Sequence, residues 1–169
     1  MDFRLSDEQR MLQDLVTRFV EDELMPLEPA VLEREANGED GGLTEEELEP
    51  LHARCKELGL WGLDVPEELG GANLDSVSLV IVNEALKRTA VPFTFPPDSP
   101  NLHMLLAVAN EEQRKKYLEP YARGETVSAI AISEPNAGGD PAGMITRAVQ
   151  DGDDWVINGR KIWVSRIRD

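Results

Sequence analysis

The chain has 169 residues, 41% of them apolar and 30% charged, which excludes a disordered chain and allows one core of ordinary size. A net charge of −16 and a pI near 4.5 argue against a nucleic-acid partner, which needs a basic face. No apolar run reaches the roughly 18–20 residues of a membrane span, and a single cysteine, Cys55, leaves no internal disulfide framework and no multi-cysteine metal site.

The N-terminus, "MDFRLSDEQRML", lacks a basic region followed by an apolar one, so no signal peptide is expected and the cytoplasm is the simplest location. Acidic residues crowd the first part of the chain: residues 1–50 carry sixteen Asp or Glu against four Lys or Arg. Such a run reads as a solvated helical surface.

Ser6 and Gln9 have the spacing of a capping box, and Leu12, Leu15, Val16, Phe19 and Val20 then recur at helical spacing. Pro26 should end or bend that helix. A second short helix is predicted over Glu28 to Ala36, closed by "NGEDGG". Thr44 and Glu47 repeat the capping-box spacing, and Gly59 stands where a left-handed C-terminal cap belongs. Another helix is predicted from about Asp75 to Arg88. "VPFTFPPDSP" has too many prolines for a helix interior. Helix resumes near Asn101 to Val108, and Asn110 caps a shorter one.

Near Glu125 the period changes. "TVSAIAIS" reads as a strand, "MITRAVQ" as a second, and "DWVIN" and "RKIWVS" as a third and fourth joined by the hairpin dipeptide Asn158-Gly159. The predicted fold class is α+β. An all-α domain over residues 1–124 precedes the first strands of an antiparallel β domain over 125–169, which would be incomplete by itself.

On a strand, Trp163 and Ser165 would share a face, with Val164 opposite. A flat ring beside a hydroxyl suits a flat heterocycle that accepts hydrogen bonds. Ser133 offers a second hydroxyl, and the Gly138-Gly139 loop offers backbone N–H groups at close range. A flavin would fit this set, as would an ordinary packed tryptophan and a turn serine. His52 and His103 lie in helices without metal-ligand spacing, so no metal site is expected.

The stretch "AISEPNAGGDPAGMITRAVQDGDDWVINGRKIWVS" resembles the middle domain of the acyl-CoA dehydrogenases: a strand ending in Thr/Ser-Glu-Pro, a glycine-rich loop, an Asn-Gly hairpin and Lys-x-Trp. "LSDEQRMLQDLVTRFVEDELMP", "LGLWGLDVPEELGG" and "NEEQRKKYLEPYARGE" resemble the helical domain of the same family. The resemblance covers essentially the whole chain, in order. It implies an FAD-dependent oxidoreductase that oxidises the Cα–Cβ bond of an acyl-CoA and passes electrons to an electron-transfer flavoprotein, as a homotetramer or dimer.

By the same resemblance, Ile130, Ala131, Ile132, Ser133, Gly138 and Gly139 would line the flavin and thioester. Trp163, Val164 and Ser165 would form the wall beside the flavin. Gly139 stands where the family usually has a substrate-facing serine, which leaves the acyl group undefined. No catalytic residue is assigned. The family's glutamate base belongs to a later C-terminal helical domain that these 169 residues do not contain, and Glu134 reads as structural. Two other readings fit the motifs: a flavin- and acyl-CoA-binding partner subunit without its own base, and an acyl-CoA oxidase.

Overall fold

The computed structural model describes residues 4–97 and 101–164. Helix α1 (Asp7–Phe19) opens on the predicted capping box: the Gln9 N–H donates to Ser6 Oγ, and the Ser6 N–H donates to Gln9 Oε1. The chain does not break at Pro26. It passes through one turn of π-helix (Val20–Leu24) and one of 3₁₀-helix (Met25–Leu27) directly into α2 (Glu28–Ala36). Pro26 and Pro29 each lie in the first turn of a helical segment, where a missing N–H leaves no bond unmade.

Helix α3 (Glu45–Leu58) starts on the Thr44–Glu47 capping box and ends at Gly59, whose φ of 71° is the left-handed cap. The connection from α2 is held by Arg34, whose guanidinium donates to both Glu47 carboxylate oxygens at 3.0 and 3.1 Å and to the Gly42 carbonyl. Helix α4 (Ser76–Leu86) is capped by Asp75, which accepts from the Val77 and Ser78 N–H groups. It packs on α1. Between them lies the main core, with Val16, Phe19, Val20, Ile81, Val82 and Ala85 buried. The proline-rich stretch after α4 is irregular, as its composition requires, and it feeds Val91, Phe93 and Phe95 into that core.

Helices α5 (Leu102–Val108), α6 (Glu111–Gln113) and α7 (Glu119–Ala122) form the rest of the helical unit, with a π turn (Arg114–Leu118) joining the last two. Asn110 completes a third capping box with Gln113. Leu102, Leu118, Tyr121, Ala122 and Val65 make a second, smaller cluster.

A two-stranded antiparallel sheet follows: β1 (Arg147–Asp151) pairs with β2 (Asp154–Asn158), in register from Arg147 opposite Asn158 to Asp151 opposite Asp154. The architecture is therefore the α+β class read from sequence. Three local expectations are overturned. Residues 126–133 are not a strand, because a strand exists by pairing and no described segment makes a ladder with them. The hairpin turn is Gly152–Asp153, where Gly152 has a φ of 64°, and not Asn158-Gly159. Gly159 is glycine for a different reason: the Thr146 side chain fills the space its Cβ would take. "RKIWVS" is not a fourth strand either. Its residues 160–164 are irregular and return to residue 133 by one backbone bond. No helix among the described residues is long and apolar enough to cross a membrane.

Candidate flavin-facing edge

The residues after α7 leave the helical unit at Gly124, in a left-handed conformation with φ of 73°. A side chain there would meet the Trp61 ring. The Trp61 indole N–H reaches the Ala122 carbonyl at 3.5 Å, and His52 sits edge-on to its ring at 5.6 Å. His52, Trp61 and Gly124, with Phe93, Tyr121 and Val127, line a cavity of about 280 Å³. Burial, and secondarily the Lys56 charge, hold the His52 pKa below its usual value, so the imidazole faces this largely apolar space uncharged at neutral pH. Asn101 Nδ2 donates to Ser128 Oγ at 2.9 Å and ties the outgoing chain to α5.

The chain then runs through Ile130, Ala131 and Ile132, all exposed, to the half-buried Ser133. A tight turn follows, in which Glu134 and Ala137 exchange both backbone hydrogen bonds, at 2.9 and 3.1 Å. Glu134 itself is buried with 3% of its surface exposed. Its carboxylate accepts from the Ile145 N–H at 2.8 Å, the Thr146 N–H at 3.0 Å and Lys161 Nζ at 2.9 Å. Lys161 Nζ also donates to the Ile132 carbonyl at 2.9 Å. The Ile162 N–H donates to the Ser133 carbonyl at 2.9 Å. Hydrogen bonds from the Ile145 N–H, from Thr146 and from Lys161 hold the Glu134 pKa down at about 2.

The structure thus brings the predicted Ile130–Ser133 and Trp163–Val164 segments together, through the Ser133–Ile162 bond and the Glu134–Lys161 pair. Gly138 and Gly139 sit at the far end of the Glu134–Ala137 turn and are exposed. Neither has a positive φ, and a Cβ at either would meet nothing within 4 Å. The chain's own packing therefore does not demand glycine at 139. Trp163 is 87% exposed, with a φ of 61°. Because that backbone is not a strand, the face-sharing expected of Trp163 and Ser165 has no basis in strand alternation, and Ser165 lies outside the described residues. Lys161 had no role in the sequence reading. Its partner Glu134 lies 27 positions earlier, and the burial that makes that carboxylate require a cation is set by tertiary structure.

These residues fit a flavin on the geometry present. Ile130, Ile132 and Trp163 offer exposed apolar surface, Ser133 a hydroxyl, and Gly138-Gly139 an uncrowded backbone. Among the described residues there is no cluster of His, Cys, Asp and Glu that could hold a metal ion.

Comparison with known proteins decides the family. Residues 6–125 match the acyl-CoA dehydrogenase N-terminal domain, and residues 129–169 match the acyl-CoA dehydrogenase middle domain. The chain belongs to the acyl-CoA dehydrogenase family. Over 98% of its length it is 42% identical to (R)-benzylsuccinyl-CoA dehydrogenase of Thauera aromatica, covering 43% of that protein. Among solved structures, an acyl-CoA dehydrogenase from Geobacillus kaustophilus aligns over 97% of this chain and 41% of its own, with TM-score 0.70 and 29% identity. A glutaryl-CoA dehydrogenase from Mycobacterium smegmatis in complex with FADH2 aligns over 95% of this chain and 39% of its own, with TM-score 0.69 and 27% identity. The chain spans about two-fifths of the length of these acyl-CoA dehydrogenases.

Proposed function

We propose that this chain forms the helical domain, residues 1–124, and the flavin-facing start of the β domain, residues 125–169, of an enzyme that oxidises the Cα–Cβ bond of an acyl-CoA thioester. FAD would supply the hydride acceptor. The observation that carries this reading is the convergence of the Ser-Glu-Pro turn and the Lys-x-Trp segment on one ion pair between the buried Glu134 and the half-buried Lys161. That convergence leaves Ile130, Ile132 and Trp163 exposed on two segments joined by the Ser133–Ile162 bond. Ile130, Ala131, Ile132 and Ser133 would form one wall of the flavin site, and Trp163, Val164 and Ser165 the other. Ser133 would donate or accept a hydrogen bond at the ring edge, and the Gly138-Gly139 backbone would face the thioester side. The protein's share of the chemistry is to hold cofactor and thioester in register and to exclude water from between them.

The electrons would pass to an electron-transfer flavoprotein, and we place the assembled enzyme in the cytoplasm as a homo-oligomer. An absorbance spectrum of the full-length protein, before and after addition of a panel of acyl-CoAs, tests the reading. Bound flavin that bleaches with an acyl-CoA is the expected result. A colourless protein, or a flavin that no acyl-CoA bleaches, overturns it. Oxygen uptake during turnover would mark an oxidase instead. The space at position 139 admits a serine without a clash. Gly139→Ser is therefore expected to change acyl-CoA affinity more than FAD affinity, as ligand titrations of the two proteins would show; an unchanged acyl-CoA affinity counts against a substrate-facing Gly139.

A further inference from the structure

Three stretches distant in sequence meet at one carboxylate. Glu134 is the residue after Ser133 and opens the turn to Gly138. Ile145 and Thr146 lead into β1. Lys161 lies two residues before Trp163. All three donors to Glu134 lie within 3.0 Å, and Lys161 continues to the Ile132 carbonyl. A carboxylate has lone pairs for several donors at once, and ionised hydrogen bonds are about twice as strong as neutral ones. Backbone around the node is otherwise thinly held. Among the described residues, the 130–133 segment is joined to 160–164 only by the Ser133–Ile162 bond and the Lys161–Ile132 bond.

We propose that Glu134, locked to Lys161, is a positioning residue that sets the spacing between the Ile130–Ser133 wall and the Trp163–Val164 wall of the flavin site. The proposal rests on the reading that these two walls hold a flavin. Glu134 has no contact with the ring in this scheme. It acts through the Ser133 backbone on one side and through Lys161 and Ile162 on the other. Its burial is then functional in a specific sense: a surface turn of this size would not need a charged node, whereas two adjoining segments of irregular backbone joined by few bonds do.

The test uses the full-length protein. Glu134→Gln keeps the shape of the side chain but replaces one acceptor oxygen by an NH₂ that faces N–H and ammonium donors, so one arm of the node is lost. Lys161→Met removes the ion pair and the Lys161–Ile132 bond but leaves the Ile145 and Thr146 bonds to the carboxylate, and so provides a second variant should Glu134→Gln fold poorly. Lys161→Arg keeps the charge and is the conservative rescue. Three readouts apply: flavin dissociation constant, visible-region circular dichroism of the bound flavin, and amide hydrogen exchange of the flavin-free protein.

Loss of hydrogen bonds to a charged group should weaken flavin binding by about tenfold or more in Glu134→Gln. The flavin dichroism should change, and exchange should quicken at Ile145, Thr146 and Ile162 while helices α1 to α4 stay protected. Lys161→Met should move the same readouts in the same direction, and Lys161→Arg should stay near wild type. Wild-type flavin affinity and dichroism in both Glu134→Gln and Lys161→Met overturn the positioning role while leaving the functional reading intact. A wild-type protein that binds no flavin overturns the functional reading and this proposal with it. Faster exchange spread over the whole chain also overturns it, because the node would then be holding the fold and not the walls.

Discussion

Phe19 offers the sharpest test of how the helical unit is held. Its ring centroid lies 5.4 Å from Phe95 and 5.7 Å from Phe93, at 47° and 42° between planes, and 2% of the residue is exposed. The side chain therefore joins α1 to the irregular proline-rich stretch. Truncating a buried phenylalanine to alanine costs about 3–5 kcal/mol, from lost transfer energy and the hole left behind. Against a domain stability of about 5–15 kcal/mol, that lowers the folded-to-unfolded ratio by about a hundredfold to several thousandfold. Phe19→Leu separates the terms. It keeps much of the apolar volume but loses two ring pairs worth about 0.5–1.5 kcal/mol each, so about 1–3 kcal/mol is expected. Urea unfolding followed by tryptophan fluorescence measures both, with Trp61 as the reporter beside the core. A double-mutant cycle of Phe19→Leu with Phe95→Leu should return a coupling of about 0.5–1.5 kcal/mol. A loss below about 1 kcal/mol for Phe19→Ala, or a coupling of zero, would refute the claim that this aromatic cluster fastens the irregular stretch to α1.

Three further outcomes are expected. Burial, and secondarily the Glu23 charge, push the Cys55 thiol pKa up to about 12, so an alkylating reagent should leave the native protein unlabelled at pH 8 and label it in urea; rapid native labelling counts against the packing of α3. Glu134 titrates at about 2 in the folded chain against 4.5 when free, so its contribution to stability is complete above about pH 4.5 and is lost as pH falls through about 2. The stability gap between wild type and Glu134→Gln should accordingly shrink over that window, and a gap independent of pH would show that the carboxylate is not held ionised. Gly59 and Gly124 both have positive φ, but only Gly124 faces a neighbouring ring. Gly59→Ala should cost about 1–2 kcal/mol of backbone strain and Gly124→Ala distinctly more, with a shift in Trp61 emission; equal costs would show that Trp61 yields freely.

Some of this molecule was already present in local sequence, because local physics settles it. Capping boxes at Ser6 and Thr44 and the left-handed cap at Gly59 involve residues three or four apart, so spacing alone specifies them. The helical period before residue 124 and the β2 residues "DWVIN" are equally legible. The ordered run of family motifs also pointed to the family that comparison then established. What tertiary structure decided was everything that depends on a distant partner. "TVSAIAIS" has strand composition, but pairing is a relation between two segments, and the described residues supply no ladder for it. Asn158-Gly159 has hairpin composition, yet the turn formed at Gly152, and Gly159 instead makes room for Thr146. Lys161 shows the same limit from the other side. Nothing within four residues of it reveals its role, because the carboxylate that gives it one lies 27 positions earlier in the chain.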